Sequence, residues 1–425
     1  MKCDYACNSP EHLIARRQFL GGMAGGLGLV AGGLGAMAAP AATEKLAKDQ
    51  KRVVVLYMAG GLSQLESWDP KPKTDTGGPF RAISTSVPGT QLCELLPLTA
   101  KHMDKLALVR SINTRNGDHG KGRYHMTHGR NRRPGVEIPH LGAVCARGLD
   151  SAENALPGHI RIPGGGRTNN AAYLGPKYAA IGLNGKPPAN SARPDSISEA
   201  SDDQRNTFRR KVNNHFSRQR RTAETNVYTS TYEQARELMQ RRDVFDISKE
   251  SEKDKERYGK FELGQHCLLA RRLLEAGITF VQVEHSNYDT HNENFNFHLE
   301  QLGEFDRAYS ALITDLYERG MLDSTLVIVM SEFGRTPKIN KYYGRDHWGT
   351  AWSVCLGGGR IKPGAVIGKT NANGTAVTDR QVDHGNLFHT YLDAIGLDST
   401  GHFDVGGRPI PLADPASSTI KELLA

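Results

Sequence analysis

Carboxylates and imidazoles gather in three short stretches of this chain. One runs Asp118-His119-Gly-Lys121-Gly-Arg123-Tyr-His125-Met-Thr-His128, and a second runs Glu284-His285-Ser-Asn-Tyr-Asp289-Thr-His291. The third joins Ser331-Glu332-Phe333-Gly-Arg335-Thr-Pro to Gly344-Arg345-Asp346-His347-Trp348. Oxygen and nitrogen donors without a thiolate suit a divalent cation, and the imidazoles favour zinc or manganese over calcium or magnesium. Each stretch also has a plain structural reading. An Asp-x-His pair stabilises a polar turn, Asp346 caps a turn beside a packed imidazole, and Arg335 offsets the desolvation of Glu332 in an ordinary ion pair.

The elements that must position these residues are legible as apolar runs. Strands are predicted at Arg52–Ala59, Leu106–Arg110, Ile278–Glu284, Thr325–Ser331 and Trp352–Leu356, with helices at Leu263–Ala276 and Leu299–Arg319. Continuous rather than alternating apolar strands, interleaved with helices, predict an α/β fold with a largely parallel central sheet and helices on both faces. In such sheets the ligand site lies beyond the carboxyl ends of the strands, and the three stretches stand at strand ends. The first strand ends instead in Ala59-Gly60-Gly61-Leu-Ser63, whose amides either cradle an oxyanion or simply make a turn. The Gly/Pro-rich residues 156–188 read as long surface loops, and the polar residues 196–259 as a helical insertion or lid.

Arg16-Arg17-Gln-Phe-Leu20, followed by a Gly- and Ala-rich apolar run to Ala39, matches a cleavable twin-arginine export signal. The reading divides the chain into a signal and linker over residues 1–41 and one α/β domain over 42–425. It makes the export machinery a partner and the compartment periplasmic or secreted. Nothing later in the sequence resembles a permanent membrane span. Cys3 and Cys7 would leave with the signal, and Cys93, Cys145, Cys267 and Cys355 show no CxxC spacing and read as single buried thiols. The formal charge is +8, with basic stretches at Arg209-Arg210-Lys211 to Arg221 and at Arg130 to Arg133. Without aromatic interleaving or a nucleic-acid motif these read as a solvated helix face and a loop rim, which excludes nucleic acid as a partner.

The order of motifs resembles the domain-of-unknown-function 1501 family: a twin-arginine start, Gly-Gly-x-Ser with Trp68-Asp69-Pro-Lys-Pro, Asp-Thr-His-Asn, Ser-Glu-Phe-Gly-Arg-Thr-Pro and Gly-Arg-Asp-His-Trp. That resemblance implies an alkaline-phosphatase-like fold shared with sulfatases and phosphomutases. By it, Asp289, His291 and His347 match one metal site, with Asp346 beside them. Glu332 falls where a second site has an Asp, while Phe333 replaces the His that would follow. Ala59 stands where an Asp normally follows the first strand, and Asp69 is the carboxylate that would substitute. His119 stands at the sulfatase nucleophile position, with Arg123 and Gly129-Arg130 matching the rest of that motif.

These readings lead to a metal-dependent hydrolase of phosphate or sulfate esters, free or carried on a polysaccharide. Glu332 would bind a second ion or act as general base. Arg335, Lys121 and Arg123 would neutralise the anionic substrate, and His119 stays open as nucleophile, metal ligand or acid/base. The alternative is a metal-stabilised binding or assembly protein that kept the fold without the chemistry. A third reading, a basic polysaccharide-binding module, requires the Arg209 to Arg221 stretch to form one continuous exposed face.

Overall fold

Strand β1 (Arg52–Met58) is buried along its whole length, as its unbroken apolar run requires. The computed structural model describes residues 50–425 apart from 133, 150–155, 165–170, 188–190, 220–222 and 406, so the expected signal and its two cysteines lie outside the described residues. The other strands of the main sheet are β2 (Leu106–Ile112), β3 (His159–Ile162), β4 (Ile181–Gly182), β5 (Phe280–His285), β6 (Thr325–Met330), β7 (Trp352–Gly357) and β8 (Val366–Ile367). Their order across the eight-stranded sheet is β8-β2-β7-β6-β1-β5-β3-β4. All neighbouring pairs are parallel except those made by β7, which runs antiparallel to both β2 and β6.

The five predicted strands are all present. The predicted surface loops over residues 156–188 are not simply loops, because they supply β3 and β4. Both are short: Ile160 and Ile162 of β3 are buried opposite Val281 and Val283 of β5, while β4 pairs only with β3 at the sheet edge and is not buried. The stretch after β2 likewise forms a helix, α1 (His119–His128). Seven more helices follow: α2 (Leu141–Gly148), α3 (Glu199–Gln219), α4 (Ala223–Gln240), α5 (Glu252–Tyr258), α6 (Glu262–Glu275), α7 (Asn294–Glu318) and α8 (His384–Ala394).

Alternate residues of β1 feed two cores. Val54, Leu56 and Met58 pack with the apolar faces of α6 and α7, including Leu269, Leu273, Phe305 and Leu312. Val53, Val55 and Tyr57 pack on the other side with α2 and α8, including Leu141, Val144, Leu387 and Tyr391. Each fully buried aliphatic side chain contributes about 1.5–3 kcal/mol, so the sheet is clamped from both faces and its carboxyl edge becomes a rigid rim. Strand β7 has its amino end at that rim, since Trp352 lies opposite Ile112 at the end of β2. The segment leading into β7 therefore joins the loops that leave β1, β2, β5 and β6.

Of the two basic stretches, Arg209 and Arg210 both turn onto Glu233 of α4, so the stretch does not form one continuous exposed cationic face. Arg130 is buried and donates to the carbonyl of Pro411 at 2.7 Å. The four described cysteines are buried and free.

Candidate metal centre

Three imidazoles meet one carboxylate at this rim. Asp289 and His291 sit on the loop after β5, His119 opens α1 after β2, and His347 lies just before β7. The Nε2 of His119 is 3.3 Å from Asp289 Oδ2. The Nε2 atoms of His291 and His347 are 3.2 Å and 3.1 Å from Asp289 Oδ1, and 2.9 Å from each other. Donor atoms of His119, Asp289 and His347 all lie within 4.8 Å of one another.

The tautomer of each ring follows from its other nitrogen. His119 Nδ1 faces Glu332 Oε1 at 2.9 Å, His291 Nδ1 faces Asp346 Oδ1 at 2.8 Å, and His347 Nδ1 faces the Gly117 carbonyl at 2.6 Å. An ionised carboxylate and a carbonyl only accept, so in the neutral rings all three Nδ1 atoms carry the proton and all three Nε2 atoms present lone pairs. Lone pairs and a carboxylate that converge in this way suit a cation. A tetrahedral site with bonds of about 2.0–2.1 Å has donors about 3.3 Å apart, close to the spacings of the Asp289 oxygens from the rings. Rings steered by an acceptor behind them are the usual arrangement of metal-binding histidines.

Local sequence explains the convergence. Asp118 caps α1 by accepting from the Lys121 amide at 2.8 Å, which fixes His119 at the first helical position. Gly122 lets α1 lie against the end of β6, since a Cβ there would stand 2.7 Å from the Glu332 carbonyl. Gly60, at φ +118, does the same for the β5 loop: a Cβ would stand 2.4 Å from the Asp289 amide nitrogen. The loop of His291 is stitched to the segment before His347, with Asn340 Nδ2 donating to the His291 carbonyl and the Arg345 amide donating to Thr290. Phe333 forms the floor, its ring stacked on His347 at 4.3 Å between centroids and tilted against His119 at 4.9 Å.

Several predicted site residues take other places. Arg335 does not face substrate. It is fully buried, and its guanidinium donates to the carbonyls of Gly60, Gly61, Tyr288 and Arg345 and to Asp289 Oδ1 at 2.7 Å. Nor is it the ion-pair partner of Glu332. That carboxylate is 2 % exposed and accepts from the Gly60 amide and His119 Nδ1 on one oxygen, with Ser331 Oγ 3.1 Å from the other, so it stands behind His119 rather than beside Asp289. Asp69 lies away from the cluster, paired with Lys71 at 2.9 Å and bonded by Thr370. Arg123 is bidentate to Glu284 at 2.8 and 3.0 Å and lies over the Tyr57 ring. Lys121 is exposed and makes no side-chain bond among the described residues. The amides of Gly60, Leu62 and Ser63 donate to Glu332, Ser331 and His298, so they are not an open oxyanion cradle.

Burial alone would raise the Asp289 carboxyl, but the Arg335 guanidinium and the facing imidazoles bring it down to about 2. Asp346 is likewise held below the usual carboxylate range, chiefly by its bond to His291.

The model of the family described as "Protein of unknown function (DUF1501)" matches residues 50–424. The chain belongs to that family. No curated protein matches the sequence. Solved structures that resemble it include the lipoteichoic acid synthase LtaP from Listeria monocytogenes, at 8% identity over 86% of this chain and 75% of that one, with a TM-score of 0.38. The PsFucS1 sulfatase from Pseudoalteromonas sp. matches at 14% identity over 84% and 72%, with a TM-score of 0.40. The C-terminal periplasmic domain of EcEptC from Escherichia coli, in complex with Zn, matches at 12% over 86% and 87%, with a TM-score of 0.38. At these scores the likenesses say nothing of this family member's activity.

Other residues build the site without having been singled out by their type. Glu66 and Arg345 form a fully buried pair at 2.8 Å, which pins the backbone beside Asp346 and His347. Gln64 bonds both the amide and the carbonyl of Arg335, at 2.9 and 2.8 Å, in the manner of a neighbouring strand. Their only sequence signal is position: polar residues flanking the glycine turn and the Asp-His motif.

Proposed function

We propose that this protein is a metal-dependent hydrolase of phosphate or sulfate esters, working outside the cytoplasm. What carries the reading is the convergence of the Nε2 atoms of His119, His291 and His347 on the single carboxylate of Asp289, each ring steered from behind. His119, Asp289 and His347, with His291 beside them, would hold zinc or manganese. Bound there, the ion supplies Lewis-acid polarisation of an ester oxygen and a water of lowered pKa. The chain's own residues do the rest. Arg335 keeps Asp289 ionised, while Glu332, Asp346 and the Gly117 carbonyl fix the rings. Lys121, exposed two residues after His119, is the cation left to draw in an anionic ester, since Arg123 is balanced by Glu284.

The same geometry argues for direct attack by water. His119 has Nδ1 bonded to Glu332, and its Nε2 lone pair faces Asp289, where a bound ion would occupy it, so the ring would serve as a ligand rather than as a nucleophile. The described cysteines are buried, and burial pushes the thiols of Cys93, Cys267 and Cys355 up to about 12. Export rests on the paired arginines of the leader. Among the described residues no helix is long and apolar enough to cross a membrane.

One feature favours a second reading, a non-catalytic metal-stabilised binding or assembly protein: His119, at the position that the sulfatase resemblance gives to the nucleophile, has its Nδ1 held by Glu332. Metal content by mass spectrometry, on the wild type and on an Asp289→Ala, His347→Ala double variant, tests the site. Near-stoichiometric zinc or manganese, lost in the variant, supports it. Turnover of phosphate or sulfate esters by the loaded protein then separates the two readings, and a metal-free wild type as stable as the variant sinks both.

A further inference from the structure

Helix α3 carries an apolar stripe on its open side. Phe208, Val212 and Phe216 recur at every fourth residue, so they share one face, and they are 70%, 48% and 42% exposed. On the neighbouring α4, Tyr228 and Tyr232 have the same spacing and are also exposed. The two rows adjoin, because the Arg209 guanidinium, next in sequence to Phe208, lies 4.2 Å over the Tyr232 ring.

The charges around the stripe divide by side. At about 100° per residue, Arg209 and Asn213 fall on one side of it and pack onto α4, Arg209 on Glu233 and Asn213 on Thr229 at 3.1 Å. Arg205 falls within the stripe, and Lys211, His215 and Arg218 fall on its other side. Among the described residues, Arg205, Lys211 and Arg218 are exposed and make no ion pair. The hairpin therefore offers exposed aromatics and free cations together, on a helix of 21 residues that is too polar to span a bilayer.

We propose that the α3–α4 hairpin docks in the plane of an anionic lipid surface, with Phe208, Val212 and Phe216 entering the headgroup boundary and Arg205, Lys211 and Arg218 meeting lipid phosphates. Each half of the pattern alone fits another occupant. A polyanion needs the cations but leaves the Phe–Val–Phe row without purpose, and a second copy of the chain would cover the row but set like charges against each other. A basic amphipathic helix with both features is the arrangement that lies flat on an anionic bilayer. The net charge of +8 adds long-range attraction to the same surface. None of this depends on whether the metal centre is catalytic.

Vesicle co-sedimentation of the full chain tests it, using phosphatidylcholine vesicles with and without phosphatidylglycerol. The wild type is expected to partition about tenfold more strongly onto the phosphatidylglycerol vesicles, and Phe208→Ser with Phe216→Ser to lose about that factor. Lys211→Glu with Arg218→Glu should lose most of the anionic preference and its salt sensitivity. Circular dichroism and Tm confirm that each variant is folded. Should the serine variant fail to fold, the wild-type preference and the charge variant still decide. Equal partitioning of wild type and serine variant, or no anionic preference in the wild type, overturns the proposal. So does a dimer in analytical ultracentrifugation that the serine variant disperses, if vesicle binding is absent. Binding to a sulfated polysaccharide without binding to vesicles overturns it as well.

Discussion

His291 and His347 point their Nε2 atoms at each other across 2.9 Å, and each has its Nδ1 committed to an acceptor behind it. Asp289 Oδ1 completes the triangle at 3.2 and 3.1 Å. In neutral rings this sets lone pair against lone pair and carboxylate, a repulsion that a shared cation removes. Adding zinc to chelator-treated protein should therefore raise Tm, with about 2.7 kcal/mol of stabilisation at a hundredfold excess over Kd. His347→Ala should abolish the rise. A scanning-calorimetry trace that zinc leaves unmoved would remove the basis of the metal centre.

Glu332 stands 2.9 Å behind the Nδ1 atom of His119. Glu332→Gln keeps the shape but removes the charge that holds the Nδ1 proton of His119. Metal affinity should fall about 10–100-fold, read by competition with a chromophoric chelator, while the zinc-free fold persists. Unchanged affinity would show that the ring needs no carboxylate behind it.

Arg335 is a brace for the rim. Its guanidinium ties the turn after β1, the loop after β5 and the segment before His347, all without exposure to solvent. Arg335→Ala should cost about 3–5 kcal/mol, since it leaves carbonyls and Asp289 without their donor. Urea unfolding measures this, and a loss under about 1 kcal/mol would mean that the contacts are incidental.

The strands that carry the site were readable because they are continuous apolar runs, and β3 and β4 were not, because β3 is four residues long and is buried by pairing with β5, while β4 is a two-residue edge strand that pairs only with β3. Helix α1 has two glycines in its first four residues and no apolar stripe. It forms through the Asp118 cap and the close approach that Gly122 permits to Glu332, neither of which periodicity reveals. The residue types of the site stood out in Asp-Thr-His and Asp-His-Trp. The roles did not, because a steering partner such as the Gly117 carbonyl has no sequence signature. Arg335 looked like a substrate-binding cation because nothing in its motif says that four backbone carbonyls surround it.

Gly122 offers a test of that close approach. Gly122→Ala would set a methyl 2.7 Å from the Glu332 carbonyl, so α1 must move and carry His119 with it. A cost of about 1–3 kcal/mol is expected from overpacking, together with weakened metal binding. Gly120, whose added Cβ would meet only the Asp118 side chain at 3.5 Å, is the control. Equal effects of alanine at both positions would show that helix propensity rather than packing decides.

Acid should unfold this protein in a defined window, for a reason outside the metal centre. Burial lowers His125, His128 and His298 to about 4 and His159 to about 3. His298 shows why the neutral form is built in: its Nδ1 donates to the Asn294 carbonyl, so Nε2 is free to accept from the Ser63 amide at 3.2 Å. Unfolded, each ring returns to about 6.5. Between about pH 6.5 and pH 4 the unfolded chain therefore binds more protons than the native one, and stability falls as pH falls. Each such ring contributes up to about 1.4 kcal/mol per pH unit within that window, so four together make a steep transition of several kcal/mol per unit. Urea midpoints measured at half-unit steps should drop sharply below about pH 6. His298→Gln, which keeps an acceptor for Ser63 without the titration, should flatten the slope by about one proton. A stability curve level from pH 7 to pH 4 would mean that the buried rings are charged in the native state, and the packing that surrounds them would have to be redrawn.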